Sequence, residues 1–456
     1  GKNPEQFYDD SAIHMVRDNS KCILCRRCVA ACKQQQVGVI GVNDRGFDTH
    51  IGCAFEKNLN EVPCVSCGQC VVNCPTAALT EKDDSNKVWK ALNDPNKKVI
   101  VQTAPSIRVT LGECFGMPIG TEVTGKMVAA LRRMGFYKVF DTDLAADLTI
   151  VEEANEFIER VQNGGKLPMI TSCSPGWIKY AEYYYPDLMS NLSTCKSPQQ
   201  MFGAITKTWY AKKNGIDPKD IVVVGIMPCT AKKFEVQRAD QSATGEFPDC
   251  DIALTTRELG RMISRAHIDF VNLPDEEFDD PMGESTGAGV IFGATGGVME
   301  AALRTAAETL TGKPLESVDF KDVRGTDSVK EATYDIAGIK VNVAVASGLS
   351  AAHKVLEKVK SGEANYHFIE IMGCPGGCVN GGGQPIQHAV TRSFVDLKSK
   401  RAAALYAADV NKKVRKSHEN PKIKVLYDEL LEKPGSHAAH KILHTSYVDR
   451  SNDVLK

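Results

Sequence analysis

The sequence has no excess of charge of one sign, no long apolar run and no leader-like opening, and each absence removes a class of protein. Basic and acidic residues number 55 and 57, for a formal net charge of -2. There is thus neither a polybasic stripe to track phosphates nor an acidic tail, and no nucleic-acid partner is expected. No apolar stretch approaches the roughly eighteen residues that cross a bilayer, and no charged-then-apolar leader opens the chain. The expectation is no membrane association and a soluble, cytoplasmic protein. At 456 residues the chain has room for roughly two to four domains with their own cores, so it does not need cysteines as staples. Yet cysteine is plentiful. The 16 cysteines point to metal ligation rather than disulfides in such a chain.

Half of them fall into one repeated pattern. Cys22, Cys25, Cys28 and Cys32 form a C-x2-C-x2-C-x3-C run, and Cys64, Cys67, Cys70 and Cys74 repeat it, followed by Pro75. In the bacterial ferredoxin run, three thiolates hold one [4Fe-4S] cube and the fourth cysteine ligates the other. The expected sets are Cys22, Cys25, Cys28 and Cys74 for one cube, and Cys64, Cys67, Cys70 and Cys32 for the other. Zinc sites favour separated C-x2-C pairs over two four-cysteine runs. Cys53, between the runs, reads as a spare buried thiol, and Cys114, Cys195 and Cys250 as small buried hydrophobes.

A different cysteine site lies in Glu370–Pro385, EIMGCPGGCVNGGGQP, where Cys374 and Cys378 are set among glycines. Glycine permits close backbone approach and positive φ, which suits a bulky inorganic cofactor. Spacing alone leaves a zinc half-site or a redox pair open. From about residue 98 short apolar runs alternate with amphipathic segments, the texture of an α/β region with largely parallel strands. Strands are expected at 99–104, 137–140, 169–173, 221–226, 252–254, 341–346 and 367–371. Helices are expected at 124–134, 149–161, 198–213, 256–266 and 298–310. Cys173, Cys229 and the Cys374–Cys378 pair stand at the ends of such strands, where open α/β sheets bind ligands. The glycines of 287–297 lack dinucleotide spacing and read as close backbone packing. Beyond about residue 395 the chain is helical and charged, without a metal motif, and reads as a wrapping element.

Three stretches carry a family resemblance. Thr171–Trp177 (TSCSPGW), Met227–Glu235 (MPCTAKKFE) and Glu370–Pro385 resemble, in order, the three signature motifs of the [FeFe]-hydrogenases. The likeness runs from the ferredoxin-type runs to the carboxyl-terminal helices and is nearest to the clostridial kind. It implies an α+β ferredoxin-like domain followed by a two-lobed α/β catalytic domain with a helical carboxyl-terminal extension. The expected divisions are a lead-in at 1–20, the two-cluster domain at 21–85, the catalytic domain at 95–390 and the wrap at 391–456. It further implies reversible conversion of protons and electrons to H2 at an H-cluster, a [4Fe-4S] cube joined to a two-iron unit with CO, cyanide and a bridging amine dithiolate. Two [4Fe-4S] clusters would relay the electrons.

By motif position, the resemblance makes Cys229, Cys374 and Cys378 thiolate ligands, with Cys378 the bridge to the two irons. Lys232 would meet one cyanide, Ser106 with the Pro105 region the other, and Met227 and Met372 would form soft walls. Gln199 is a further neighbour. The family usually has two cysteines before the proline of the first motif, the relay thiol and then a cube ligand, whereas here the pair is Cys173–Ser174. Either Ser174 takes the ligand position, or a local shift lets Cys173 ligate, or the site is altered. The implied proton chain is Cys173, Glu153, Ser193 and Glu156, ending near Arg160; the last glutamate, Glu153 and the arginine share one helical face. The implied electron partner is a ferredoxin or a flavoprotein subunit, with further redox subunits if the chain belongs to an NAD(P)-linked bifurcating complex. Two rival readings are an H2 sensor or electron carrier of the same fold, and an iron-sulfur assembly factor without the two-iron unit.

Overall fold

The computed structural model describes residues 7–454. Thirteen strands appear in chain order: β1 (Tyr8–Asp9), β2 (Met15–Asp18), β3 (Gly41–Asn43), β4 (His50–Gly52), β5 (Leu79–Glu81), β6 (Lys98–Thr103), β7 (Lys138–Asp141), β8 (Met169–Ile170), β9 (Ile221–Met227), β10 (Ile252–Thr255), β11 (Val329–Ile336), β12 (Ile339–Ser347) and β13 (Phe368–Met372). In the amino-terminal part β1, β2 and β5 make an antiparallel sheet and β3 pairs with β4. β1 and β2, which fall within the lead-in expected at 1–20, therefore belong to the sheet that brackets both cysteine runs.

Two four-stranded sheets form the rest, in the orders β10-β9-β6-β7 and β11-β12-β13-β8. The first is wholly parallel. In the second, only the β11–β12 pair is antiparallel. Helices lie against the sheets, so the inner strands are covered on both faces and read as unbroken apolar runs. In β9 the run IVVVGIM is buried except at its second residue. The charged exception, Glu370 in the middle of β13, accepts the N–H groups of Gly296 and Met299 at 2.7 Å each. Its carboxylate thus occupies the start of the helix Gly297–Thr311, where unpaired donors and the helix dipole favour an anion.

Sheet and helix positions largely match the sequence reading; it passes over β1–β5 and the helices Ser85–Leu92 and Leu349–Ser361, and three further differences have a physical reason. The helix expected at 149–161 runs from Thr142 to Gln162. Its first turns are buried all round, so they carry no amphipathic period to detect. The strand expected at 169–173 ends at Ile170, where the first motif leaves the sheet. The third difference is β11, which sequence reading passes over. Its hairpin turns on Ala337 and Gly338, both at positive φ (56 and 81), which fits the two-residue hairpin turn that favours such dihedrals.

Cys53, Cys195 and Cys250 are buried as expected, but Cys114 is exposed. It lies on the surface turn Leu111–Phe115 with its Sγ near Gly260. The glycines of 287–297 do pack against backbone: a Cβ on Gly296 would stand 1.8 Å from the Val323 carbonyl oxygen. The carboxyl-terminal helices pack against the part built on the two four-stranded sheets. Arg401 pairs with Glu113 at 2.6 Å and donates to the carbonyls of Val379 and Pro385, clamping the third motif. No helix among the described residues is long and apolar enough to cross a membrane.

Candidate active site

The carboxyl ends of β6 and β9 from one sheet and of β8 and β13 from the other open on a single cavity. Pro105 follows β6, Cys173 and Ser174 follow β8, Cys229 follows β9, and Cys374 and Cys378 follow β13. All of them line it, together with Met227, Met372, Gln199 and Lys232. Ser106 does not reach the wall; its Oγ accepts Gln384 Nε2 at 3.1 Å. Phe292 and Thr142 line the cavity as well, and no motif or spacing marks them.

Each loop is fixed by its own motif. Thr171 Oγ1 accepts the N–H of Ile371 at 3.1 Å, and Trp177 Nε1 donates to the Thr171 carbonyl at 3.0 Å, so the first motif is sewn to β13. Within it the two uncertain residues face different neighbours. Ser174 Oγ accepts the N–H of Gly373, beside Cys374, at 3.1 Å. The Cys173 thiol feels burial first and then Glu153, Cys378 and Lys232, and its pKa is raised well above the usual thiol value. In the third motif Gly377 has a φ of 87, and a Cβ there would meet the Thr295 nitrogen at 2.6 Å. A Cβ on Gly382 would stand 2.3 Å from the Cys67 carbonyl oxygen. These glycines serve backbone-to-backbone contact, which no side chain permits.

Lys232 is bracketed by two residues that sequence reading left out. Its Nζ donates to Ser197 Oγ at 2.8 Å and to Glu235 Oε2 at 2.9 Å, and lies 3.3 Å from the Cys173 carbonyl. Gln199 Nε2 donates to the same Glu235 oxygen at 2.9 Å. The one hint was position, since Glu235 stands three residues beyond Lys232 on one short helix.

Behind Cys173 lies a string of polar groups. Neither carboxyl oxygen of Glu153 has a hydrogen-bond partner. Burial, with the like charge of Glu156 next, pushes its pKa up to about 8; the nearby Ser193 hydroxyl opposes the shift without closing a bond. Ser193 Oγ donates to Glu156 Oε2 at 3.0 Å, and Arg160 Nη2 donates to Glu156 Oε1 at 2.5 Å. The residues expected as a chain are thus neighbours in that order, from a wholly buried Glu153 to a partly exposed Arg160.

The amino-terminal cysteines sort into the two crossed sets. Cys22, Cys25, Cys28 and Cys74 line one cavity. Cys32 lies with the other run: it is among the charges felt by Cys64, Cys67 and Cys70. The first set reaches the surface, since Cys25 is exposed. The second abuts the main cavity, where Cys67 is among the neighbours of Cys374. Gln35 Nε2 donates to the Gly373 carbonyl at 2.7 Å and Gln69 Nε2 to the Asn380 carbonyl at 3.2 Å, tying this set to the third motif.

The donor chemistry fits an iron-sulfur group. Burial pushes the Cys378 thiol up to about 12 and raises Cys374 well above the usual thiol value, so neither holds a thiolate unless a metal compensates its charge. The Gln199 Oε1 is buried without a partner. Soft Met side chains and one cation complete a wall suited to a polarizable, anionic inorganic group.

Comparison with known proteins agrees. Residues 97–382 match the model of the iron only hydrogenase large subunit, C-terminal domain. Residues 21–78 match the 4Fe-4S dicluster domain, and residues 395–450 match the iron hydrogenase small subunit. The NADP-reducing hydrogenase subunit HndD of Solidesulfovibrio fructosivorans is 51% identical over 99% of this chain and 77% of its own length. Iron hydrogenase 1 of Clostridium pasteurianum is 47% identical over 98% of this chain and 78% of its own. An apo [FeFe]-hydrogenase structure from Chlamydomonas reinhardtii superposes with a TM-score of 0.71 at 43% identity, covering 80% of this chain and 98% of that one. With its dicluster domain ahead of the catalytic domain, the chain belongs to the iron-only hydrogenase family.

Proposed function

We propose that Cys229, Cys374 and Cys378 hold the cube of an H-cluster in this cavity, with Ser174 at the fourth corner and Cys173 kept as a proton carrier. The chain is a hydrogenase with two [4Fe-4S] clusters and an H-cluster as cofactors. One observation carries the residue assignment: four strand ends deliver these groups to a single dry hollow next to Cys67. The neighbours of Cys173 and Ser174 support the division of labour between them. Cys173 faces Glu153, and the Ser174 hydroxyl meets Gly373 beside a ligand.

When bound, the two-iron unit supplies the metal at which protons and electrons combine to H2. The residues around it do three things. Cys22, Cys25, Cys28 and Cys74 carry the outer cube, and Cys64, Cys67, Cys70 and Cys32 the inner one, in a line from surface to cavity. Lys232 fixes a positive charge at the wall and is held by Ser197 and Glu235, while Met227, Met372 and Pro105 exclude water. Cys173 and Glu153 each retain a proton near neutral pH because burial opposes their charged forms. Glu153 can therefore reload Cys173 and be refilled through Ser193 from Glu156, with Arg160 at the mouth. Ser106 acts through Gln384 rather than at the wall.

On the same reading residues 21–85 are the two-cluster domain and 391–456 the wrap. Residues 95–390 form two lobes, each built on one four-stranded sheet. An external redox subunit is the partner, and its chemistry is that of a ferredoxin or a flavoprotein in the cytoplasm; the relative named an NADP-reducing hydrogenase subunit supports a place in such an assembly. The test is infrared spectroscopy after maturation, with an H2 assay on the same sample. Metal-bound CO and cyanide bands with H2 turnover are expected. Bands without turnover would leave a sensor, and no bands would leave the assembly-factor reading.

A further inference from the structure

Beside the relay the chain gathers donors of a kind that proton transfer does not need. A ring nitrogen of His444, the Sγ of Cys195 and a carboxylate oxygen of Glu156 all lie within 4.8 Å of one another. Cys195 Sγ is 3.9 Å from Glu156 Oε2. The three come from separate stretches: the helix Thr142–Gln162, the segment ahead of the helix Pro198–Ile205, and the residue after the helix His437–Leu443. A backbone bridge between Cys195 and His444 pins the last two together. His444 Nε2 rests on Glu152 Oε2 at 3.1 Å, and its Nδ1 on Thr194 Oγ1 at 2.7 Å. Glu152 is itself held by the Tyr427 hydroxyl at 2.5 Å and the Gly435 N–H at 3.0 Å.

One thiol, one imidazole and one carboxylate suit a borderline-soft divalent ion. Calcium and magnesium take oxygen, whereas Zn²⁺ takes sulfur, nitrogen and oxygen in tetrahedral sites and leaves a corner for water. Bonds of about 2.0–2.3 Å put tetrahedral donors roughly 3.3–3.8 Å apart, so these atoms need only small inward movements. The carboxylate behind His444 Nε2 is the partner that metal-bound histidines usually have, which leaves Nδ1 for the ion once the Thr194 hydroxyl turns away. Of the three, Cys195 also lines a small cavity beside Lys196 and Thr445. The other two such groupings among the described residues, Asp44–His50–Glu56 and Glu308–His418–Glu419, contain no sulfur.

We propose that Glu156, Cys195 and His444 form a Zn²⁺ site, and that an ion bound there stops turnover by taking Glu156 out of the relay. The stoppage rests on the relay reading above; the site does not. Cys195 must release its proton to the solvent on binding, and the Arg160 guanidinium on Glu156 opposes a second positive charge, so the site is weaker than an all-thiolate one.

The experiment uses the matured enzyme, freed of zinc with a chelator and checked for unchanged iron content. Zinc chloride is titrated while H2 evolution, bound zinc by calorimetry and zinc X-ray absorption are followed. Expected are one bound ion per chain with a sulfur neighbour at about 2.3 Å, saturable inhibition, and recovery with chelator. Cys195→Ala, and Cys195→Ser as a second variant that keeps the volume, should turn over normally without zinc. Each should need at least about tenfold more zinc for half-inhibition. Zinc with no sulfur neighbour, or equal sensitivity in both variants, overturns the site. Zinc that binds through Cys195 and leaves turnover untouched upholds the site and removes Glu156 from the proton route.

Discussion

The two cysteine-rich regions gather ligands in opposite ways. In the amino-terminal region most cysteines of each set are local in sequence, and the outer set has an exposed member, Cys25. In the main cavity the thiols arrive from the ends of distant strands, and their positions exist only once both sheets are built. Local spacing makes a cluster site almost independent of its surroundings, whereas convergence makes it depend on the whole fold. The dependent site is in exchange the dry one. Burial drives Cys374 and Cys378 far above the usual thiol range, while Cys22 and Cys25 belong to a set at the surface. An electron entry point needs contact with a carrier, and a proton-reducing centre needs control over every proton that reaches it.

Removing one ligand from the convergent site gives the largest expected effect. Cys378→Ala should abolish H2 turnover, by more than about 10³-fold, and remove the infrared bands of metal-bound CO and cyanide. The electron paramagnetic resonance of the two amino-terminal clusters should persist, because their ligand sets share no residue with the cavity. Loss of those signals as well would mean that the two regions are not independent, and the contrast drawn above would fail.

The same contrast explains what the sequence made legible. The two crossed groupings of the amino-terminal cysteines are expected from their ferredoxin-type runs, and the fold places the same cysteines together. The main cavity was readable because Cys229 and Cys374 each stand two residues beyond a strand, a pattern that survives without knowledge of packing. The supports of the site were not. Glu235 and Ser197 hold Lys232, and Gln35 and Gln69 bond to carbonyls of the third motif; such residues have no periodicity and acquire their role only through tertiary contact. The strand β11 escaped because its turn uses Ala337 where Asn or Asp would have signalled a hairpin. The carboxyl-terminal segment looked free of function because it lacks cysteine. Yet His444 and Tyr427 reach Glu152, one residue from the relay.

Glu153 tests the dryness of the cavity side. Glu153→Gln should leave the cofactor bands intact and lower turnover by about 10²–10⁴-fold, the usual worth of a positioned proton donor. In the unsubstituted enzyme turnover should fall as pH rises through about 8, where Glu153 loses its proton. The stability effect has a definite sign. A carboxyl whose pKa rises from 4.5 to about 8 on folding binds its proton more tightly in the native state. Native stability therefore declines between those pH values, by up to about 1.4 kcal/mol per unit. Denaturant unfolding of the matured protein at pH 5 and pH 8 should show the glutamine variant gaining on the original only at the higher pH. An equal difference at both would mean that water reaches Glu153.

The smallest expected effect lies where the two regions meet. Gln35 is buried, donates to the Gly373 carbonyl at 2.7 Å and accepts the Leu349 N–H at 3.1 Å. It thereby joins the chain after the first cysteine run to the loop that carries Cys374. Gln35→Leu keeps much of the volume but leaves a buried acceptor and a buried donor without partners, at a cost of about 1–3 kcal/mol each. No ligand is removed, so H2 turnover with a small-molecule reductant should stay within about twofold of the original. Hydrogen exchange should quicken at the Leu349 amide, which Gln35 accepts, and remain unchanged in β6 and β9, which belong to the other sheet. A collapse of turnover would instead show that this contact positions Cys374, and the convergent site would then depend on the amino-terminal region as well as on its own two sheets.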